Sequence, residues 1–183
     1  FFLMASISLI VLFNLIVLFE ESLPRKDPNA LKFGALILNF TEIITEQNFL
    51  TFLLIGIGAY AGLYAVLTGV APVMTGLLQQ DADIFGYQFA AIMTGHFISA
   101  VIAGKLINVF GIKKLLFLGT LISVIGGLLL LGTSLVSNIT IYSILLPSML
   151  FLIGFALTIP GMTAGALSNF QHMAGRASSL LGF

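Results

Sequence analysis

Charge is what this chain has least of: seven Lys or Arg and seven Asp or Glu among 183 residues, or 8%, against 59% hydrophobic residues. A water-soluble domain carries about 25% charged residues, because its surface must hold water. Fourteen charges cannot clothe a globule of this size, so most of the surface must face hydrocarbon. Cysteine is absent altogether, which excludes disulfides, thiolate metal sites and thiol nucleophiles. The formal net charge is zero, and no basic tract is present to attract nucleic acid. No cofactor or metal is expected. No run of about ten residues alternates apolar with polar, which argues against a transmembrane barrel.

What the chain does have is long apolar runs. Spanning a hydrocarbon core of about 30 Å takes about 20 residues at 1.5 Å each. Five stretches meet or approach this: Phe1–Phe19, Phe49–Leu77, Phe85–Phe110, Leu115–Leu135 and Ile139–Met162, with a sixth opening near Ala174. The expected fold class is therefore all-α, a polytopic transmembrane helix bundle. Phe1–Phe19 is not read as a signal peptide, since no basic region precedes it and Glu20-Glu21-Ser22-Leu23-Pro24 follows in place of a cleavage site. The chain starts inside one apolar helix and stops just inside another, so it reads as an internal piece. Residues 1–19 form the first span, 20–48 a charged linker, and 49–183 a truncated bundle. Within the linker, Asp27-Pro28 is a helix start. Leu36, Phe40, Ile43 and Ile44 share a face opposite Asn39, Glu42 and Glu46, which suits a helix lying on the membrane surface.

The bases set an orientation. Arg25, Lys26 and Lys32 follow span one; Lys105, Lys113 and Lys114 lie at the junction of spans three and four; Arg176 opens span six. All fall on one side of an alternating topology, while Asp81 and Asp83 fall on the other. The positive-inside rule makes the basic side cytoplasmic, and the expected location is the plasma membrane.

The junction Gly104-Lys105-Leu106-Ile107-Asn108-Val109-Phe110-Gly111-Ile112-Lys113-Lys114 resembles the loop signature of the major facilitator superfamily, G-x-L-a-D-r-x-G-r-k-x. Gly104, Leu106, Gly111, Lys113 and Lys114 keep the pattern; Asn108 stands where the signature has Asp and Val109 where it has a base. Glu21-Ser22-Leu23-Pro24, Ala71-Pro72-Val73 with Phe85-Gly86, Gly154 through Pro160, and Ala174-Gly175-Arg176-Ala177-Ser178 with Gly182 are similar to stretches of the bicyclomycin- and chloramphenicol-resistance branch. The resemblance implies helices six to early eleven of twelve. It implies proton-coupled efflux of small apolar compounds or drugs by two halves that rock about a midplane site. The partners it implies are the bilayer, a small-molecule solute, protons and an N-terminal half that carries the coupling carboxylate. A facilitator exporting sugars or other metabolites is the neighbouring alternative, and a structural subunit of a membrane complex the more distant one. No Asp or Glu accompanies a histidine inside a span, so an enzyme is not expected.

Individual residues carry narrower expectations. Tyr60, Tyr64, Ala71 and Thr75 run along one face of span two with Thr68 at its edge, and the tyrosines offer flat faces with polar tips. They line either a solute path or a helix contact. His96, the one ionisable residue near the middle of a span, borders a small polar stripe of Gln88, Gly95 and Ser99, of which Ser99 is a further candidate for the solute path. It either bonds a neighbouring helix or meets solute or proton. Gly119, Ser123 and Gly127 form a small-residue stripe for helix packing. Gly154, Thr158, Gly161 and Gly165 share a face of span five, with Thr158 a candidate for the solute path. Pro72, Pro147 and Pro160 are candidate kinks. His172 and Arg176 are expected in a solvated or headgroup-facing loop.

Overall fold

The computed structural model describes residues 1–18, 40–136, 138–170 and 173–182. Most of the linker, including Arg25, Lys26, Lys32, the Asp27-Pro28 helix start and Leu36, lies outside the described residues, as does His172. Two compact units are present, Phe1–Ile37 and Leu38–Phe183. The first contributes helix α1, Phe2–Leu18, which buries none of its residues. Two of its polar side chains turn back on their own helix, Ser6 donating to the Phe2 carbonyl and Asn14 to that of Ile10.

The second unit is an all-α bundle. After a helical segment at 40–45 come α2 (Gln47–Pro72, continued as a π-helix over Val73–Leu77), α3 (Ala82–Phe110), α4 (Ile112–Ser134), α5 (Ile141–Leu167) and α6 (Ala174–Leu181). Four of these, α2 with its π continuation, α3, α4 and α5, are long and apolar enough to cross a membrane, as a multi-pass membrane protein requires. Each start has a local cause. The Glu46 carboxylate accepts from the Phe49 N–H and caps α2. Asp83 sits in the first turn of α3, where a negative charge favours the helix dipole. Thr140 and Ser143 satisfy each other's backbone N–H groups at the start of α5, a reciprocal cap. Between α3 and α4 stands a single residue, Gly111, at φ 77° and ψ 162°. Pro72 ends regular α-helical bonding in α2, and the Leu78 N–H then reaches the Val73 carbonyl across a wider turn.

Helix α5 is the hub. Fourteen of its 27 residues are buried, and α4, α3 and α2 pack on it, in decreasing extent. Contacts fix the directions. Gly119 meets Thr158 while Gly126 meets Pro147 and Phe151, so α4 runs antiparallel to α5. Gly165 lies under the Phe52 ring and Gly62 under that of Phe151, so α2 is antiparallel as well. Gly95 faces Met149, and Ala103 clusters with Leu157, so α3 is parallel. The alternation places Lys105, Lys113, Lys114 and Arg176 toward one end of this unit and Asp81 and Asp83 at the other. The expected span limits move slightly: α4 begins three residues before Leu115, and α5 runs on to Leu167 through Pro160.

At the basic end, Ile43, Phe49, Phe52, Met162, Ala166, Phe170 and Ala177 form one buried cluster. Ile43 is thus part of the bundle core and not a membrane-surface contact; Ile44, its neighbour on the expected amphipathic face, remains exposed. Beside this cluster the two oxygens of Glu46 divide their work. One caps α2, and the other accepts from Asn169 Nδ2 at 3.0 Å, beyond the end of α5. Glu46→Ala should cost about 1–2 kcal/mol, the loss of a cap and a charge-assisted bond together. Hydrogen exchange should show faster opening at both the α2 start and residues 168–170. Faster exchange at α2 alone would mean that the Asn169 bond contributes nothing.

Candidate functional site

Polar residues of the membrane-spanning helices divide into those that the bundle consumes and those that it leaves open. Three side chains donate to three successive carbonyls of α5: Ser123 Oγ to Phe151 at 3.2 Å, His96 Nδ1 to Leu152 at 3.2 Å and Ser99 Oγ to Ile153 at 3.0 Å. Each such interhelical bond contributes about 0.6 kcal/mol. Thr158 is buried and donates to the Gly154 carbonyl at 2.9 Å. Ser99 and Thr158, expected on a solute path, are therefore helix-contact residues: burial against α5 and α4 occupies them. Thr68 is exposed, but its hydroxyl donates to the Tyr64 carbonyl of its own helix at 2.7 Å.

The small-residue stripe of α4 is real but shifted by one position. A Cβ on Gly119 would stand 2.9 Å from the Gly154 carbonyl oxygen, and one on Gly126 would stand 2.6 Å from the Phe151 nitrogen. One on Gly127 would meet nothing within 4 Å. At about 100° per residue, Gly126 falls about 20° from Gly119 and Gly127 about 80°, so the seam is Gly119, Ser123 and Gly126. Gly154 faces it, with Pro147 buried alongside. Gly161 is in ordinary contact with Leu116 and the Ile112 carbonyl. Helix α5 passes through Pro147 and Pro160 without interruption.

In the junction resembling a loop signature, Leu106 packs against Ala103, Leu115 and Leu157. The Asn108 amide turns back to the Gly104 carbonyl at 3.4 Å. Lys113 and Lys114 are exposed.

What remains open is an aromatic row across α2, α5 and α3. The Tyr60 ring meets Phe155 edge-on, centroids 5.3 Å apart at 82°. The His96 ring stacks on Phe155 at 5.9 Å and 29°. All three residues sit near the middle of their helices. Tyr60 and Tyr64 together line a groove of about 630 Å³ whose other walls are Ile44, Leu53, Gly56, Ile57, Met162 and the Leu180–Gly182 stretch. That volume is within the usual range for small-molecule sites, about 300–1,000 Å³. A carbonyl only accepts, so the bond to Leu152 requires the proton on His96 Nδ1 and leaves Nε2 of the neutral ring as an acceptor. Among the described residues, Nε2 and the two phenol groups have no hydrogen-bond partner. The buried side-chain N or O atom left unpartnered there is Gln88 Oε1, so Nε2 is open to its surroundings. Also among the described residues, no three His, Asp or Glu side chains cluster as metal ligands.

Sequence reasoning finds Tyr60, Tyr64 and His96 but not Phe155, which joins Tyr60 to His96. Nothing in the chain distinguishes Phe155 from Phe151 one turn earlier.

No family model, curated protein or solved structure matches this chain.

Proposed function

We propose that this chain is part of a secondary transporter of the major facilitator type, exporting small, largely apolar solutes by alternating access with protons as the coupling ion. The observation that carries this reading is the row Tyr60–Phe155–His96, which holds open polar tips at the mid-height of three membrane-spanning helices. Against acyl chains, a hydroxyl or imidazole nitrogen without a partner costs free energy. Such a face is stable when it borders water or solute near the midplane, where transporters bind their cargo. The groove beside it has two phenols and otherwise apolar walls, which favours apolar solutes over sugars, whose hydroxyls need many partners. The separation of bases from Asp81 and Asp83 supports a plasma-membrane orientation with the basic end cytoplasmic. The loop resemblance at Gly104–Lys114 supports the family, and an N-terminal half would supply the coupling carboxylate. In this reading the chain is a transporter and not an enzyme.

The test is export of apolar dyes by the full-length protein reconstituted in liposomes under a proton gradient. Tyr60→Ala combined with Tyr64→Ala should lower export roughly tenfold, since one lost aromatic pair is worth about 0.5–1.5 kcal/mol and tenfold is about 1.4. Unchanged export at equal protein level would remove the tyrosine face from the solute path.

A further inference from the structure

The open atoms of the aromatic row also specify what kind of solute fits, an inference that rests on the transport reading above. His96 is half-buried and its Nδ1–H is committed to the Leu152 carbonyl. The neutral ring therefore presents Nε2 only as an acceptor, and rotation about the side chain would break the Leu152 bond. Tyr60 meets the Phe155 ring edge-on and leaves its phenol group open. Two ring surfaces thus meet the buried Phe155, one nearly parallel to it and one nearly perpendicular. A flat solute ring can stack on the imidazole, one of the arrangements aromatic pairs favour. Among the described residues, no acid or base lines the neighbouring groove, so a charged solute would lose its hydration there without a counter-ion.

We infer that the Tyr60–Phe155–His96 face binds a flat, uncharged solute bearing a hydrogen-bond donor on its rim, with His96 Nε2 as the acceptor. Indole and 1-methylindole are suitable probes: the two rings are nearly equal in shape, and only the first has an N–H. Equilibrium binding to the purified full-length protein in nanodiscs, corrected for partition into empty nanodiscs, should favour indole about fivefold, the effect of one net hydrogen bond. His96→Phe, which keeps a ring beside Phe155, should bring the ratio to one, while Tyr60→Phe should leave it in place. A wild-type ratio near one would overturn the inference, as would a ratio that survives His96→Phe or disappears in Tyr60→Phe. A second readout needs no variant. In the full-length protein with ¹⁵N-labelled imidazoles, an Nε2 signal should shift with indole and not with 1-methylindole. If no Nε2 signal responds to indole, the assignment is overturned even if His96→Phe does not fold. Dye export in liposomes together with a probe ratio of one would remove the donor rule and leave the transport reading standing. Absence of export would remove the transport reading itself.

Discussion

Gly154→Val is expected to part α4 from α5 and to destabilise the bundle by about 3–5 kcal/mol. The site has no give. Even a Cβ at Gly154 would come within 2.5 Å of the Gly119 carbonyl oxygen and of Ser123 Oγ, with the Ser123 backbone nitrogen also in the way. Two of these three atoms belong to a helical backbone, which has no alternative rotamer, so the helices must separate. Separation breaks the Ser123 bond to the Phe151 carbonyl and opens the packing beside Thr158 and Gly126. In lipid there is no strong hydrophobic drive to close the gap again, because close backbone packing is itself the main attraction between helices. Reversible unfolding in mixed micelles checks the figure. Gly127→Ala is the control. Its Cβ meets nothing within 4 Å, and the gain in helix propensity should leave stability unchanged or raised by up to about 1 kcal/mol. Equal losses from the two substitutions would show that the seam does not run through Gly154.

Gly111→Val is expected to cost about 1–3 kcal/mol through backbone conformation alone. At φ 77° and ψ 162° the residue occupies a region essentially confined to glycine, where a β-branched side chain collides with its own backbone. Relief by local rearrangement is blocked, because Phe110 already ends α3 and Ile112 already begins α4. The strain must be absorbed by unwinding a turn of one helix, and the exposed position of Gly111 gives no compensating contact. Gly104, the other glycine of the junction, makes no such demand: it lies within α3 with open space at its Cβ position. Gly104→Ala should therefore be neutral or stabilising in thermal unfolding. A loss comparable to that of Gly111→Val would show that backbone conformation is not what distinguishes the two glycines.

The membrane-spanning elements were legible because a run of about 20 apolar residues suits a bilayer and little else. Ends and partners were less so. The reach of α5 past Met162 follows its packing against α2, where Gly165 lies under the Phe52 ring, a contact that hydropathy does not report. Hydropathy could not identify α5 as the hub: α4 is the more hydropathic helix, yet more than half of an 18-residue apolar stretch of α5 is buried and less than a fifth of the corresponding stretch of α4. Lipid and protein interior attract the same side chains, so composition does not tell one from the other. For the same reason Ser99 and Thr158 read as cavity residues until their neighbours on α5 were known. Gly126 was recoverable from angular spacing, and the Thr140–Ser143 cap from residue type. The Glu46–Asn169 bond was not, since its partners are 123 positions apart.

One property of the hub bears on how the protein is made. Helices α2, α3 and α4 leave the ribosome before α5, yet each depends on α5 for most of its packing. About 90 residues separate Leu77 from Leu167, so at about 5–20 residues per second α2 waits roughly 5–20 s in the bilayer before its partner is complete. The Gly119–Gly126 seam of α4 is bare for the shorter interval between Ser134 and Leu167, roughly 2–7 s at the same rate, a target for unrelated membrane helices and for quality-control proteases. Slowing translation within α5 should lower the yield of this protein more than an equal pause placed after residue 167.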